Sequence, residues 1–185
     1  EILRCLVGSE MCIRDSNMGA YLMTELHDYK YYTNLGISET NNGNFEEAIE
    51  NFNKAINLNP TYSLAHFSKA VAYHNLNKLE EAYENYSKAI VVYPQMVDAY
   101  FNRAQTILSN ENSDDEDLKK ALQDLETAIE LDTKFVDAYY YAAVIKKKLQ
   151  DYRGALKYLD KAIEIEPQAV HSRALKKLIQ QKYLK

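Results

Sequence analysis

The acidic and histidine side chains of this 185-residue chain are its first candidates for chemistry, and their spacing argues against a catalytic or metal site. The run Asp114–Asp117 has enough carboxylates to hold a cation, but it lacks the turn glycine of a calcium loop. We expect it to begin a helix, where acidic side chains are favoured. His66 and His74 lie about 12 Å apart along one predicted helix, which is too far for joint metal ligation.

Catalytic motifs are missing from the sequence as well. It has no glycine-rich phosphate loop, nucleophile elbow or His-Glu-x-x-His motif. The pairs Glu46–Glu47 and Glu80–Glu81 fit the first turns of helices better than an acid/base pair. We therefore expect no enzymatic activity, no cofactor and no metal. A formal charge of −5 also argues against nucleic-acid binding, which needs a concentrated basic face.

A repeated tripeptide shows how the chain is organised. Lys54-Ala55-Ile56 returns as Lys88-Ala89-Ile90, Thr127-Ala128-Ile129 and Lys161-Ala162-Ile163, with the alanines 34, 39 and 34 residues apart. Such a period is typical of stacked helical hairpins. A stack of hairpins has a broad concave surface, and proteins of this kind hold other proteins or peptides.

Small residues recur at two positions of each unit, where we expect two helices to cross closely. A larger side chain there would overpack the crossing and destabilise the fold by roughly 1–3 kcal/mol. The first position holds Gly36, Ala70, Ala104 and Ala143, and the second holds Ala48, Ala82, Ala121 and Ala155. Four residues after the second come Phe52, Tyr86, Leu125 and Leu159, on the same helical face. Proline ends the second helices at Pro60, Pro94 and Pro167, with Thr133 instead in the third unit. Turns are predicted at 41–44, 75–77 and 149–151.

This pattern resembles the tetratricopeptide repeat, whose unit has Leu-Gly, then Ala-x3-Phe, then Ala, then Pro. The resemblance implies an all-α, right-handed α-solenoid of about four helical hairpins plus a C-terminal capping helix. The domain would span 29–185, with repeats at 29–62, 63–96, 97–135 and 136–169 and the cap at 170–184. The third unit is longer by five residues, and the polar stretch 109–117 is expected to hold them. The last segment could instead begin a fifth unit.

The N-terminal residues stand outside the repeat pattern. Residues 6–16 resemble the translation of a synthetic adapter used to prepare sequencing libraries, so we expect 1–16 to be a non-native leader of a metagenomic fragment. A natural leader is the alternative. The natural chain would begin near Asn17, with its own N-terminus missing and 17–28 as a lead-in. We assign no function to Cys5 or Cys12.

The resemblance also implies where a partner binds, because the first helix of each unit lines the concave groove. Phe67, Phe101 and Tyr140 recur at one inward position and should form a row of rings that anchors a bound segment. Alternatively, these rings pack on the next hairpin and expose only an edge. The predicted peptide-binding residues are Lys30, Thr33, Ile37, Phe67, Val71, His74, Phe101, Asn102, Gln105, Tyr140, Val144 and Lys147.

One subgroup of the family grips the C-terminal carboxylate of chaperone tails with lysine, asparagine and arginine side chains. The matching positions here are Thr33, Ile37, Ser68, Asp98 and Asn102. Only Asn102 could donate as needed, and Asp98 would repel a carboxylate. We therefore expect an amphipathic or aromatic-bearing segment as the partner.

Three functions fit these observations. The first is a scaffold for protein–protein interaction that acts as a monomer. The second is the accessory array of a larger, truncated enzyme such as a transferase or kinase. The third is an array that assembles end to end. With no apolar run of 18 residues we expect no membrane span in this sequence. The sequence leaves the compartment undetermined, with the cytoplasm slightly favoured.

Overall fold

A computed structural model describes residues 28–183, which form nine α-helices and no strand within that range. Numbered from the N-terminus, these helices are α1 (Tyr29–Asn41), α2 (Phe45–Leu58), α3 (Ser63–Asn75), α4 (Leu79–Val92), α5 (Val97–Ser109), α6 (Asp115–Leu131), α7 (Val136–Lys148), α8 (Tyr152–Ile165) and α9 (Val170–Tyr183). The predicted leader at 1–16 and most of the lead-in at 17–28 lie outside the described residues, as do Leu184 and Lys185.

The helices pack in sequence order as a chain of hairpins. Helices α1 and α2, α3 and α4, α5 and α6, and α7 and α8 form four hairpins, and each second helix also packs on the first helix of the next hairpin. The last helix, α9, packs on α8. This arrangement confirms the predicted all-α solenoid. No helix among residues 28–183 combines the length and apolarity that a membrane crossing requires.

The small residues lie where the repeat pattern predicts close helix crossings. Ala70, Ala104 and Ala143 on the first helices are fully buried, and so are the alanines of the second position. At Gly36, an added Cβ would lie only 2.6 Å from the Cε1 atom of Phe52, so this crossing has no room for a methyl group. Phe52 itself is fully buried, and Tyr86, Leu125 and Leu159 at the equivalent position of the other units are buried too.

Three of the four hairpin turns contain a residue with a positive φ angle. Gly43, Asn77 and Gln150 have φ angles of 83°, 57° and 61°, which places all three in the left-handed region. The predicted turns at 41–44, 75–77 and 149–151 are thereby confirmed. Because glycine adopts this conformation without steric cost, Gly43 is the least strained of the three.

The third hairpin accommodates its extra residues partly in a longer helix. Helix α6 has 17 residues, whereas α2, α4 and α8 have 14 each. It begins directly after Asp114, whose Oδ1 accepts hydrogen bonds from the amides of Glu116 and Asp117, both at 2.9 Å. The acidic run therefore begins a helix, as predicted, and its first carboxylate caps the free amides.

Helix α9 closes the described part of the solenoid. Its side chains Ser172, Leu175 and Ile179 are buried, and Leu175 and Ile179 pack against α8 and α7. On the other side, Lys177 is exposed at the position that Gly36 and its equivalents hold in the four hairpins. The same face also carries Leu178, which is 45% exposed, so the capping role of α9 stays a prediction.

Candidate peptide-binding site

The predicted binding residues on the first helices range from exposed to fully buried. Lys30 is exposed, whereas Thr33 is only 1% exposed and its hydroxyl donates to the Tyr29 carbonyl at 2.7 Å. Thr33 therefore presents no surface to a ligand, and its assignment to the groove was wrong. The other predicted residues are half-buried, and they are Ile37, Phe67, Val71, His74, Phe101, Asn102, Gln105, Tyr140, Val144 and Lys147.

A cavity of about 490 Å³ lies between α5, α7 and the start of α9, and we call it the α5–α7–α9 cavity. It brings together Phe101, Gln105 and Tyr140 from the predicted set, and Tyr141 adds a third ring to its wall. Phe67 does not line this cavity. It packs instead against Tyr86, with ring centroids 5.7 Å apart.

The rings of the cavity form a connected cluster. Phe101 and Tyr141 meet edge to face at 5.6 Å, and Tyr141 meets Tyr140 in the same way at 5.2 Å. Tyr140 also lies 6.0 Å from the ring of His171 on α9, and Phe101 lies 4.7 Å from Phe135. Edge-to-face contacts hold each ring in place and leave part of it accessible to a ligand.

Two carboxylates complete the wall. Asp137 lies in the first turn of α7, and Glu166 follows the last residue of α8. Both are exposed, and no lysine, arginine or histidine among residues 28–183 forms an ion pair with either of them. The cavity therefore combines aromatic faces with negative charge that the described chain does not neutralise.

Sequence reasoning missed Glu166 and His171. Glu166 lies between two repeats, where the family pattern assigns no inward position. His171 occupies the second position of α9, which is inward-facing in the four preceding first helices. Extending that register by one helix would have identified it.

Two further predicted polar residues, Asn102 and His74, lie within hydrogen-bonding distance of neighbouring groups of the fold. The Asn102 amide donates to the Asp98 carbonyl at 2.7 Å. His74 lies 3.4 Å from the Thr106 hydroxyl and 3.5 Å from that of Ser109, and burial lowers the pKa of its imidazole. Within the part of the chain that the structure describes, no three histidine, cysteine or acidic side chains converge as metal ligands.

A second cluster of rings and charges joins α4, α5 and α6. The Arg103 guanidinium donates to both carboxylate oxygens of Asp124, at 2.8 and 2.6 Å, and to the Ser87 hydroxyl at 2.9 Å. It also lies 5.4 Å from the ring centre of Tyr83 and 5.9 Å from that of Tyr100. Burial acts to lower the pKa of Arg103, but the hydrogen bond and charge of Asp124 raise it above its ordinary value.

Comparison with known proteins identifies the repeat. A family model described as "TPR repeat" matches residues 36–77 and 72–110, and the model "Fis1 C-terminal tetratricopeptide repeat" matches residues 136–185. An uncharacterized protein of Methanocaldococcus jannaschii is 47% identical over 49 residues, which are 26% of this chain and 57% of that protein. The chain thus matches little more than half of that relative.

Solved structures share the fold at low identity. A MamA crystal structure superimposes with a TM-score of 0.75 and 20% identity, over 83% of this chain and 81% of that one. The Pseudomonas aeruginosa PilF structure gives 0.70 and 19%, over 83% and 68%. The first TPR domain of Spaghetti (RPAP3), bound to the HSP90 peptide SRMEEVD, gives 0.60 and 22%, over 66% and 94%. Sequence, fold and family models agree, and the chain belongs to the tetratricopeptide-repeat family.

Proposed function

We propose that this protein is an interaction scaffold that holds a peptide or protein segment in its concave groove, without catalysing a reaction. The observation that supports this function most is the α5–α7–α9 cavity, where half-buried rings from two first helices line one concavity. Large rigid rings contribute contact area at a small entropy cost, which is why they dominate binding at many interfaces.

The groove differs from that expected for an acidic chaperone tail. One structural relative is bound to the peptide SRMEEVD, but at 22% identity the likeness shows only the shared fold. In this chain Thr33 and Ser68 are buried, and Asp98 is exposed in the first turn of α5. An exposed carboxylate in this place disfavours an acidic ligand, so we propose a different class of segment.

Selection from a random-peptide phage library against the purified chain tests this function. We expect enriched peptides whose affinity falls about tenfold or more when Phe101 is changed to alanine, because truncating a central ring removes about 1.4 kcal/mol or more of binding free energy. Phe67→Ala should have a smaller effect on the same peptides, since Phe67 lies outside the cavity.

Tyr93→Ala is the matched control, because Tyr93 follows α4, is 50% exposed and does not line the cavity. Its affinity for the selected peptides should equal that of the parent chain. Circular dichroism should show equal helical content in all three variants. A library that yields no enriched peptide, or peptides indifferent to Phe101→Ala, would refute groove binding.

A further inference from the structure

We infer that the α5–α7–α9 cavity receives a basic side chain, with arginine preferred, from the segment that the groove binds. This inference rests on the proposed scaffold function and specifies the chemistry of its partner. The cavity volume of about 490 Å³ falls within the roughly 300–1,000 Å³ of ordinary ligand pockets, so one long side chain can enter it.

The rings provide the first argument. Phe101, Tyr140 and Tyr141 lie in edge-to-face contact along one wall, and all three are half-buried. An aromatic face carries negative electrostatic potential, so a cation within about 6 Å of the ring centre is attracted to it. Guanidinium groups make such contacts more often than ammonium groups, because they are planar and weakly hydrated.

The carboxylates provide the second argument. Asp137 in the first turn of α7 and Glu166 just after α8 line the same cavity, and neither has an ion-pair partner among residues 28–183. Two negative charges beside a set of rings favour a cationic ligand and disfavour an acidic one. A basic side chain seated there would neutralise charge that the described chain leaves uncompensated.

The third argument comes from the protein itself, in the cluster around Arg103. There a guanidinium lies near two tyrosine rings and bonds to both oxygens of a carboxylate. The α5–α7–α9 cavity has the same two kinds of group, rings and carboxylates, but the described chain puts no guanidinium among them. The Arg103 cluster thus shows how such a set of groups holds arginine in this fold.

The experiment extends the phage selection to a variant that lacks the charge, Asp137→Asn with Glu166→Gln. We expect peptides selected on the parent chain to contain arginine or lysine beside an apolar residue, and peptides selected on the variant to lose that preference. A synthetic copy of the most enriched peptide is then compared with a copy in which citrulline, which is neutral and nearly isosteric, replaces arginine. We expect citrulline to weaken binding to the parent chain about tenfold, and binding to the variant less than threefold.

A control variant, Glu50→Gln with Glu130→Gln, removes the same charge from the second helices α2 and α6 and should behave as the parent chain does. If enriched peptides lack basic residues but still depend on Phe101, groove binding stands and the preference for a basic side chain is overturned. Basic peptides that bind equally well to the Asp137→Asn, Glu166→Gln variant overturn the assignment to this cavity. If no peptide is enriched, the proposed function fails and the inference with it.

Discussion

The Arg103 cluster and the α5–α7–α9 cavity contain the same kinds of groups, but only the first is complete within the described chain. Arg103 has tyrosine rings beside it and a carboxylate that takes two of its hydrogen bonds. The cavity has three rings and two carboxylates without a cation. A complete set fixes the packing of three helices, whereas an incomplete set is available to a partner. If the proposed recognition holds, neighbouring repeats use one kind of side-chain chemistry both for stability and for binding a partner.

Removing the cation of the Arg103 cluster should have the largest effect. Arg103→Met leaves Asp124 without its cation in a site where the carboxylate side chain is only 8% exposed. Breaking a buried pair in this way costs roughly 3–5 kcal/mol. We expect a loss of that size in the free energy of unfolding, measured by circular dichroism in urea.

The double variant Arg103→Met with Asp124→Leu is the control, because it replaces both charges with apolar groups. It should recover most of the lost stability. The selected peptides should bind the double variant as they bind the parent chain. If the single variant loses less than about 1 kcal/mol, the cluster is not the stabilising pair described here.

Replacing a ring of the cavity should weaken peptide binding and leave stability almost unchanged, which is the opposite of the effect expected at Arg103. Tyr140→Leu keeps an apolar side chain of moderate size but removes the aromatic face, so we expect the affinity for basic peptides to fall about fivefold to tenfold. The midpoint of urea unfolding should move little. Isothermal titration with the selected peptide measures the first effect, and a large loss of stability with unchanged affinity would contradict the assignment.

Salt should distinguish the two regions further. Asp137 and Glu166 are exposed, so raising the salt concentration should screen their attraction for a basic peptide and weaken binding by a few fold. The Arg103–Asp124 pair is largely buried, and the Arg103 contribution to stability should change little over the same range. Peptide binding that is independent of salt would show that the carboxylates of the cavity do not contribute.

The smallest effect is expected at a ring of the Arg103 cluster. Tyr83→Leu removes one aromatic face beside the guanidinium, which should cost about 0.5–1 kcal/mol of stability. Tyr83→Phe keeps that face and should be close to neutral. Equal stabilities for the leucine and phenylalanine variants would mean that the ring face does not stabilise the Arg103 guanidinium. The Arg103 cluster would then no longer support the proposal that the rings of the cavity attract a cation.

The fold could be predicted in detail because it depends on small residues that let two helices pack closely together. A glycine or alanine at a helix crossing has no substitute of larger volume, so the positions of Gly36, Ala70 and their equivalents specify which helix faces meet. Two of the turns were predictable because a positive φ angle favours glycine and asparagine, which occupy Gly43 and Asn77, whereas Gln150 gives no such signal.

The site could be predicted only in part. Phe101, Gln105 and Tyr140 share one cavity, as the register of first helices indicated. Thr33 was misplaced, because the register gives the direction of a residue but not whether a short side chain reaches the surface. The Arg103–Asp124 pair was not foreseen, since the third unit carries five extra residues between these side chains and the pairing across its hairpin was therefore ambiguous.

Helix α9 has a consequence for how this protein responds to a ligand. His171 at its start lines the α5–α7–α9 cavity together with residues of α5 and α7. A ligand held there contacts three helices at once, so it binds only when α9 is packed against its neighbours. Occupancy should therefore slow hydrogen exchange in the backbone of α9.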